Sequence, residues 1–232
     1  MKTGICTKSI NCETEDALSR VGEQGAEICG IDLRTFYEYR PEFAKKYAER
    51  LDGVGVNSVS VAPHNFEAQL FAENRRVRGD GFYWLDQVLR SAQLFGAKYY
   101  ILHGAPQNAD YDKIAERVRE ISEFCQRYGV TLCLENDPSG LCCRPWIFKE
   151  LKERCQSVAA VFNLAKAKKS CYPYQMYLTE MGAHLAEVRL DGGADCEEVV
   201  ADLKKLGYLG AVLVETEGQD AAQIIGQIKN II

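Results

Sequence analysis

The chain has no apolar run approaching the length of a membrane span, and its N-terminus carries no signal-peptide core. A membrane partner is therefore not expected, and a cytoplasmic location is. It has ten cysteines but no Cys-x-x-Cys pair, which removes the usual zinc and dithiol redox spacings. Cys6, Cys29 and Cys133 fall inside apparent strands as small hydrophobes, so reduced thiols are the expectation. Vicinal Cys142 and Cys143 fall in a loop and are read as passive. Basic residues are dispersed along helices and the net charge is −5, so no phosphate-tracking surface forms and nucleic acid is not an expected partner. No glycine-rich phosphate turn follows the first strand, where Thr7-Lys8-Ser9 stand instead. No Pro/Gly/Ser-rich linker divides the chain, so residues 1–232 are expected to form a single domain.

What is present is strict alternation of strand and helix. Residues 2–6 read as a strand and 14–23 as a helix, followed by strand–helix pairs at 27–33 and 41–50, and at 55–62 with a long helical region after it, strongest over 81–95. Further pairs follow at 98–103 and 110–128, 130–135 and 145–154, 157–163 and 172–181, 184–190 and 195–206, and 211–215 and 220–231. Pro41 suits a first helical turn, and Gly96 a helix stop. Ile114, Val118, Ile121 and Phe124 recur at helical spacing. Eight such units at about 29 residues each are lean but sufficient for a (β/α)8 TIM barrel, with parallel strands and outer helices. A doubly wound open sheet is the alternative.

The most informative stretch runs Val-Thr-Leu-Cys-Leu-Glu-Asn-Asp over residues 130–137. Alternation sets Thr131, Cys133 and Glu135 on one face and Leu132 and Leu134 on the other, so a carboxylate ends a buried parallel strand. The same parity sets Asp32, His64, His103, Asn163, Arg189 and Glu215 at the carboxyl ends of other strands. One strand-end polar residue is often only solvated or a helix cap. Seven converging on one mouth make a functional pocket the better reading. Glu187 shares a face with Arg189 and would point into the barrel, where it needs a cationic or hydrogen-bonding partner. His184 begins its strand at the opposite end and is read as structural. Tyr172, Tyr174 and Tyr177 read as core and pocket wall.

With these strand ends in place, the chain resembles the xylose-isomerase-like TIM barrels of sugar isomerases, epimerases and abasic-site endonucleases. The resemblance rests on Ile31-Asp32-Leu33, on Leu94-Phe95-Gly96-Ala97-Lys98 running into Leu102-His103-Gly104, and on Leu134-Glu135-Asn136. It continues through Asp195-Cys196-Glu197-Glu198-Val199, Leu206-Gly207-Tyr208-Leu209-Gly210 and Val214-Glu215. It implies a metal site of Glu, Asp, His and Glu on strands five to eight. Glu135 and Glu215 match the two glutamates, but Asn163 stands for the aspartate and Arg189 for the strand-seven histidine. Lys166 stands where that motif has a second histidine. Lysine and arginine are donors that repel a divalent cation, so both are expected to pair with Glu135 and Glu215 in the space of the ion.

Three functions are weighed. The first is a sugar or keto-acid isomerase or epimerase in which Glu135 and Glu215 exchange a proton beside a carbonyl, while Lys166 or Arg189 stabilises the enediolate oxygen. Asp32, His64, His103 and Asn163 would then bind substrate. The second is a non-catalytic protein that binds a carbohydrate-like or anionic polyol ligand on the same fold. The third is a metal phosphoesterase of the endonuclease type, with His64, His103 and Glu135 as one zinc locus. No cofactor is expected; the first function works without a metal or with a weakly held manganese, magnesium or zinc, and the third requires a metal. The resemblance also implies a homo-oligomer.

Overall fold

A computed structural model describes residues 1–62, 66–104, 111–217 and 220–232. Eight parallel strands close into one barrel in sequence order. They are β1 (Lys2–Cys6), β2 (Ile28–Leu33), β3 (Gly55–Val61), β4 (Tyr99–Leu102), β5 (Thr131–Glu135), β6 (Ala159–Asn163), β7 (Leu185–Leu190) and β8 (Ala211–Val214). Closure is made by β8 against β1, with Lys2 beside Ala211 and Ile5 beside Val214. The helices are α1 (Thr14–Arg20), α2 (Pro41–Tyr47), α3 (Glu67–Leu70), α4 (Arg75–Phe95), α5 (Tyr111–Gln126), α6 (Pro145–Arg154), α7 (Leu164–Lys168), α8 (Tyr174–Met181), α9 (Cys196–Lys205) and α10 (Ala221–Ile231). The (β/α)8 expectation holds, and the open sheet is excluded by the β1–β8 pairing.

Burial on both faces explains why the strands read as near-continuous apolar runs. Ile31, Val59, Tyr100, Leu132, Phe162, Val188 and Val212 face outward into one core shared with the helices. That core takes Leu85, Val88 and Leu89 from α4, and Ile114, Val118 and Ile121 from α5. The interior is filled by two smaller clusters: Cys6, Ile28, Ala211 and Leu213, and then Ile101, Cys133, Val161 and Ala186. Where β1 and β2 approach, only glycine fits at position 4. A Cβ there would lie 2.0 Å from the Ile28 carbonyl oxygen and 2.6 Å from Leu213 Cδ2.

Three local readings change. The long helical region, strongest in the sequence over 81–95, divides into α3 and an α4 that begins at Arg75, where the Asn74 side chain accepts hydrogen bonds from the Arg76 and Val77 amides. Gly79 and Gly81 lower the helical signal of that first stretch; α3 packs so close to Gly81 that an added Cβ would lie 3.0 Å from the Leu70 amide. A short helix not foreseen, α7, follows β6 directly, capped by the Asn163 side chain on the Lys166 amide. His184 belongs to a 3-10 turn before β7 rather than to the strand itself.

Candidate functional site at the barrel mouth

The carboxyl ends of the strands bring Glu135, Asn163, Arg189 and Glu215 together from β5, β6, β7 and the residue after β8. Asn163 lies between the glutamates, its Nδ2 donating over 2.9 Å to Glu135 Oε1 and over 2.9 Å to Glu215 Oε1. Lys166 Nζ donates to Glu135 Oε2 at 2.6 Å. Arg189 Nη1 donates to Glu215 Oε2 at 2.7 Å and lies 3.7 Å from Glu135 Oε1. All four carboxylate oxygens thus face a nitrogen donor.

His103, after β4, sets Nδ1 2.9 Å from Glu135 Oε2. Asp32, at the end of β2, accepts from Ser60 Oγ at 2.5 Å through Oδ1. Its Oδ2 is buried and has no hydrogen-bond partner among the described residues. His64, also expected at the mouth, lies outside the described residues. Glu187 finds both partners its burial demands, Arg189 Nε at 2.8 Å and Asn57 Nδ2 at 2.7 Å. Its Oε1 therefore fixes the guanidinium from inside the barrel while Oε2 is held by Asn57.

Three contributors were not foreseen. Lys8, just beyond β1, places Nζ 2.9 Å from Glu215 Oε1 and 4.0 Å from Asp32 Oδ1. Its signal was parity: Gly4, Cys6 and Lys8 alternate toward the mouth as Cys133 and Glu135 do. Asp137, read only as a turn residue, accepts from Lys166 Nζ at 2.6 Å. Glu67, buried on α3, accepts from Tyr100 Oη at 2.7 Å and from the His103 and Gly104 amides at 3.1 Å each. That last contact binds α3 to the end of β4, and nothing local in the sequence marks it.

The electrostatics follow from this wiring. Burial alone would raise the Glu135 carboxyl, but Lys166, Arg189 and the His103 hydrogen bond hold it well below the usual carboxylate range. Burial acts on Glu215 in the same sense, and Arg189 and Lys8 overcome it, bringing its pKa to about 2. Lys8 and Lys166 are each pulled down by burial and more strongly raised by their carboxylate partners, so both remain ammonium ions. Burial raises Glu67, only partly offset by His103 and Tyr100.

A cavity of about 450 Å³ opens over this set, lined by Lys8, His103, Lys166, Lys169, Asp191 and Glu215 among others. A second cavity, of about 480 Å³, lies beside His184, between Lys149, Lys152 and Glu180. Its two glutamates, Glu153 and Glu180, are exposed or half-buried, whereas the buried polar groups converge at the mouth. Among the described residues, no three His, Cys, Asp or Glu side chains are grouped to hold a metal ion, and no helix is long and apolar enough to cross a membrane.

Residues 16–166, well over half the chain, match the family model described as a xylose isomerase-like TIM barrel. No curated protein sequence matches. Solved structures similar to this one include D-psicose 3-epimerase from Clostridium cellulolyticum H10 with D-tagatose, at a TM-score of 0.81 and 13% identity, over 100% of this chain and 99% of that one. A D-tagatose 3-epimerase-like protein gives 0.81 and 17% identity, over 100% of this chain and 97% of that one. The apo 3-keto-D-glucoside 4-epimerase of E. coli gives 0.79 and 13% identity, with 99% of each chain covered. At such identities the likeness is one of fold.

Proposed function

The chain belongs to the xylose isomerase-like TIM barrel family, and from its carboxylate pair we propose that it is a sugar or keto-acid isomerase or epimerase that moves a proton beside a carbonyl. The observation that carries this reading is the arrangement of Glu135 and Glu215. Both are ionised, both are tied to the one Asn163 amide, and they stand under a cavity sized for a small polyol. A carboxylate can take the proton from a carbon next to a carbonyl, and the charge that builds on the carbonyl oxygen needs a fixed positive neighbour. Lys166 and Arg189 supply that charge, and Asp32 and His103 supply hydrogen-bonding groups for substrate hydroxyls. That several similar folds are those of sugar epimerases supports the choice of substrate class.

A divalent metal does not fit the residues present. Asn163 Nδ2, Lys166 Nζ and Arg189 Nη1 direct N–H groups into the oxygens a metal would use, and two of the three carry full positive charge. In this reading the side-chain cations stand in the place of the ion and supply its electrostatic role.

The same closed network favours one other reading, a binding protein for a neutral or anionic polyol, because every glutamate oxygen at the mouth already has a donor. Solvent-deuterium exchange into a panel of ketoses and keto-acids separates the two. An isomerase or epimerase labels the carbon beside the carbonyl, whereas a binding protein returns every compound unlabelled.

A further inference from the structure

The ladder of β4 ends before His103 does. Its last register pairs are Ile101 with Ser60 on β3 and Leu102 with Leu134 on β5, so the His103 peptide lies beyond both neighbouring strands. Among the described residues the His103 amide has a single acceptor, Glu67 Oε2 at 3.1 Å, and the Gly104 amide donates to the same oxygen over 3.1 Å. The other oxygen of Glu67 accepts from Tyr100 Oη at 2.7 Å. Tyr100 is fully buried on the outer face of β4, and Glu67 is 2% exposed. Glu67 is thus anchored on the flank of the strand and reaches over its end to hold the two residues that follow it.

A second element closes on the same peptide. Gly140, in the turn after β5, packs so near that an added Cβ would lie 2.4 Å from the His103 carbonyl oxygen. The amide of Gly140 donates to the Asp137 carbonyl over 3.0 Å, and the Asp137 side chain accepts from Lys166. The backbone of His103 is therefore confined by α3 and by the loop that also carries a partner of Lys166.

Building on the reading of the site as a carbonyl isomerase or epimerase, we propose that Glu67 is a positioning residue for His103. Its carboxylate replaces the ladder partner that the end of β4 lacks, and so sets the imidazole between Glu135 and the substrate. His103 Nδ1 stands 2.9 Å from Glu135 Oε2, and His103 lines the mouth cavity, which leaves Nε2 as the ring nitrogen for a substrate group. Both engagements depend on where the backbone holds the ring, and a displacement of about 1 Å can cost on the order of 10²-fold in rate. Glu67 acts through His103 and touches no reacting atom.

The role requires reach and acceptor geometry, not charge. Glutamine has the length of glutamate; it can turn Oε1 to the two amides and Nε2 to Tyr100 Oη, which then accepts. Aspartate keeps the charge but is one methylene shorter, so its oxygens fall short of both amides and leave them without an acceptor. A role for the negative charge would rank the two variants in the reverse order.

The test compares wild type, Glu67→Asp and Glu67→Gln, each checked for folding by circular dichroism, with Glu67→Met in reserve should Asp not fold. Two quantities are read: the ring-nitrogen NMR signal of His103, and solvent-deuterium incorporation into a ketose and keto-acid panel by mass spectrometry. His103 is one of three histidines, and its signal is assigned by its loss in His103→Gln. In Glu67→Asp the Nδ1 signal should move from its wild-type position and the exchange rate should fall roughly 10- to 100-fold. Glu67→Gln should recover the signal and most of the rate. A Glu67→Asp protein with wild-type signal or wild-type rate, or one that exchanges faster than Glu67→Gln, overturns the positioning role and leaves the isomerase reading standing. A wild type that labels no compound overturns the isomerase reading, and the NMR arm then decides the role of Glu67 alone. A signal displaced by Asp and restored by Gln upholds it, and a signal unmoved in both overturns it.

Discussion

Arg189 donates from Nη1 to Glu215 Oε2 over 2.7 Å inside a barrel where the arginine is 1% exposed. Its Nε is held by Glu187, which is itself 0% exposed. Replacing Arg189 by methionine keeps much of the side-chain volume but leaves Glu187 without its cation and Glu215 with Lys8 alone of its two described ones. Loss of one partner from a buried pair costs roughly 3–5 kcal/mol. Urea unfolding of Arg189→Met should show a destabilisation of that order, and Arg189→Met/Glu187→Met should recover part of it. A single variant as stable as wild type would remove the ion-pair account of the barrel interior.

Acid should unfold the protein through the same groups. Glu135, Glu215 and Asp137 each have a folded-state pKa below the ordinary value, despite burial, because of Lys166, Arg189 and Lys8. A depressed carboxylate supplies stability that is fully present above its unfolded pKa, about 4 for these side chains, and is lost as the pH falls through the folded one. The urea midpoint should therefore stay level from neutrality to about pH 5 and fall steadily toward pH 2, where Glu215 protonates. In Glu215→Gln the fall should be shallower. An acid limb unchanged by that substitution would show that the stability lies in other carboxylates.

How far the sequence revealed this arrangement differs by element. The strands were legible because burial on both faces of a parallel barrel demands long apolar runs, and parity then assigned Glu135, Asn163, Arg189 and Glu215 to one mouth. The need of Glu187 for a partner was legible on the same grounds. The start of α4 was not, since Gly79 and Gly81 weaken the helical signal while the Asn74 cap acts only through backbone geometry. Nor was α7, too short to show a period and fixed by the side chain of Asn163. Lys8 follows the inward parity of Cys6 but stands in a 3-10 turn, where alternation no longer strictly applies. Glu67 and Asp137 meet their partners 36 and 29 residues away in sequence, and no local pattern carries that information.

Restoring the family's ligands should reverse the charge logic of the site. Asn163→Asp, Lys166→His and Arg189→His together remove the donors that address Glu135 and Glu215 and supply acceptors instead. The triple variant should bind divalent metal more tightly than the wild type, read as manganese, magnesium or zinc content by mass spectrometry after purification without chelator. Stoichiometric metal in the unmodified protein would contradict the substitution of side-chain cations for the ion.

Solvent-deuterium exchange in wild type, Glu135→Gln and Glu215→Gln is the measurement closest to the central claim, that these two carboxylates move a proton beside a carbonyl. Each substitution keeps the shape of its side chain and an acceptor for the Asn163 amide, so circular dichroism should show the fold retained. The account predicts that wild type labels the carbon beside the carbonyl of at least one ketose or keto-acid, and that either substitution abolishes labelling. Wild-type protein that labels no compound across a broad panel, or variants that label as fast as wild type, would contradict it.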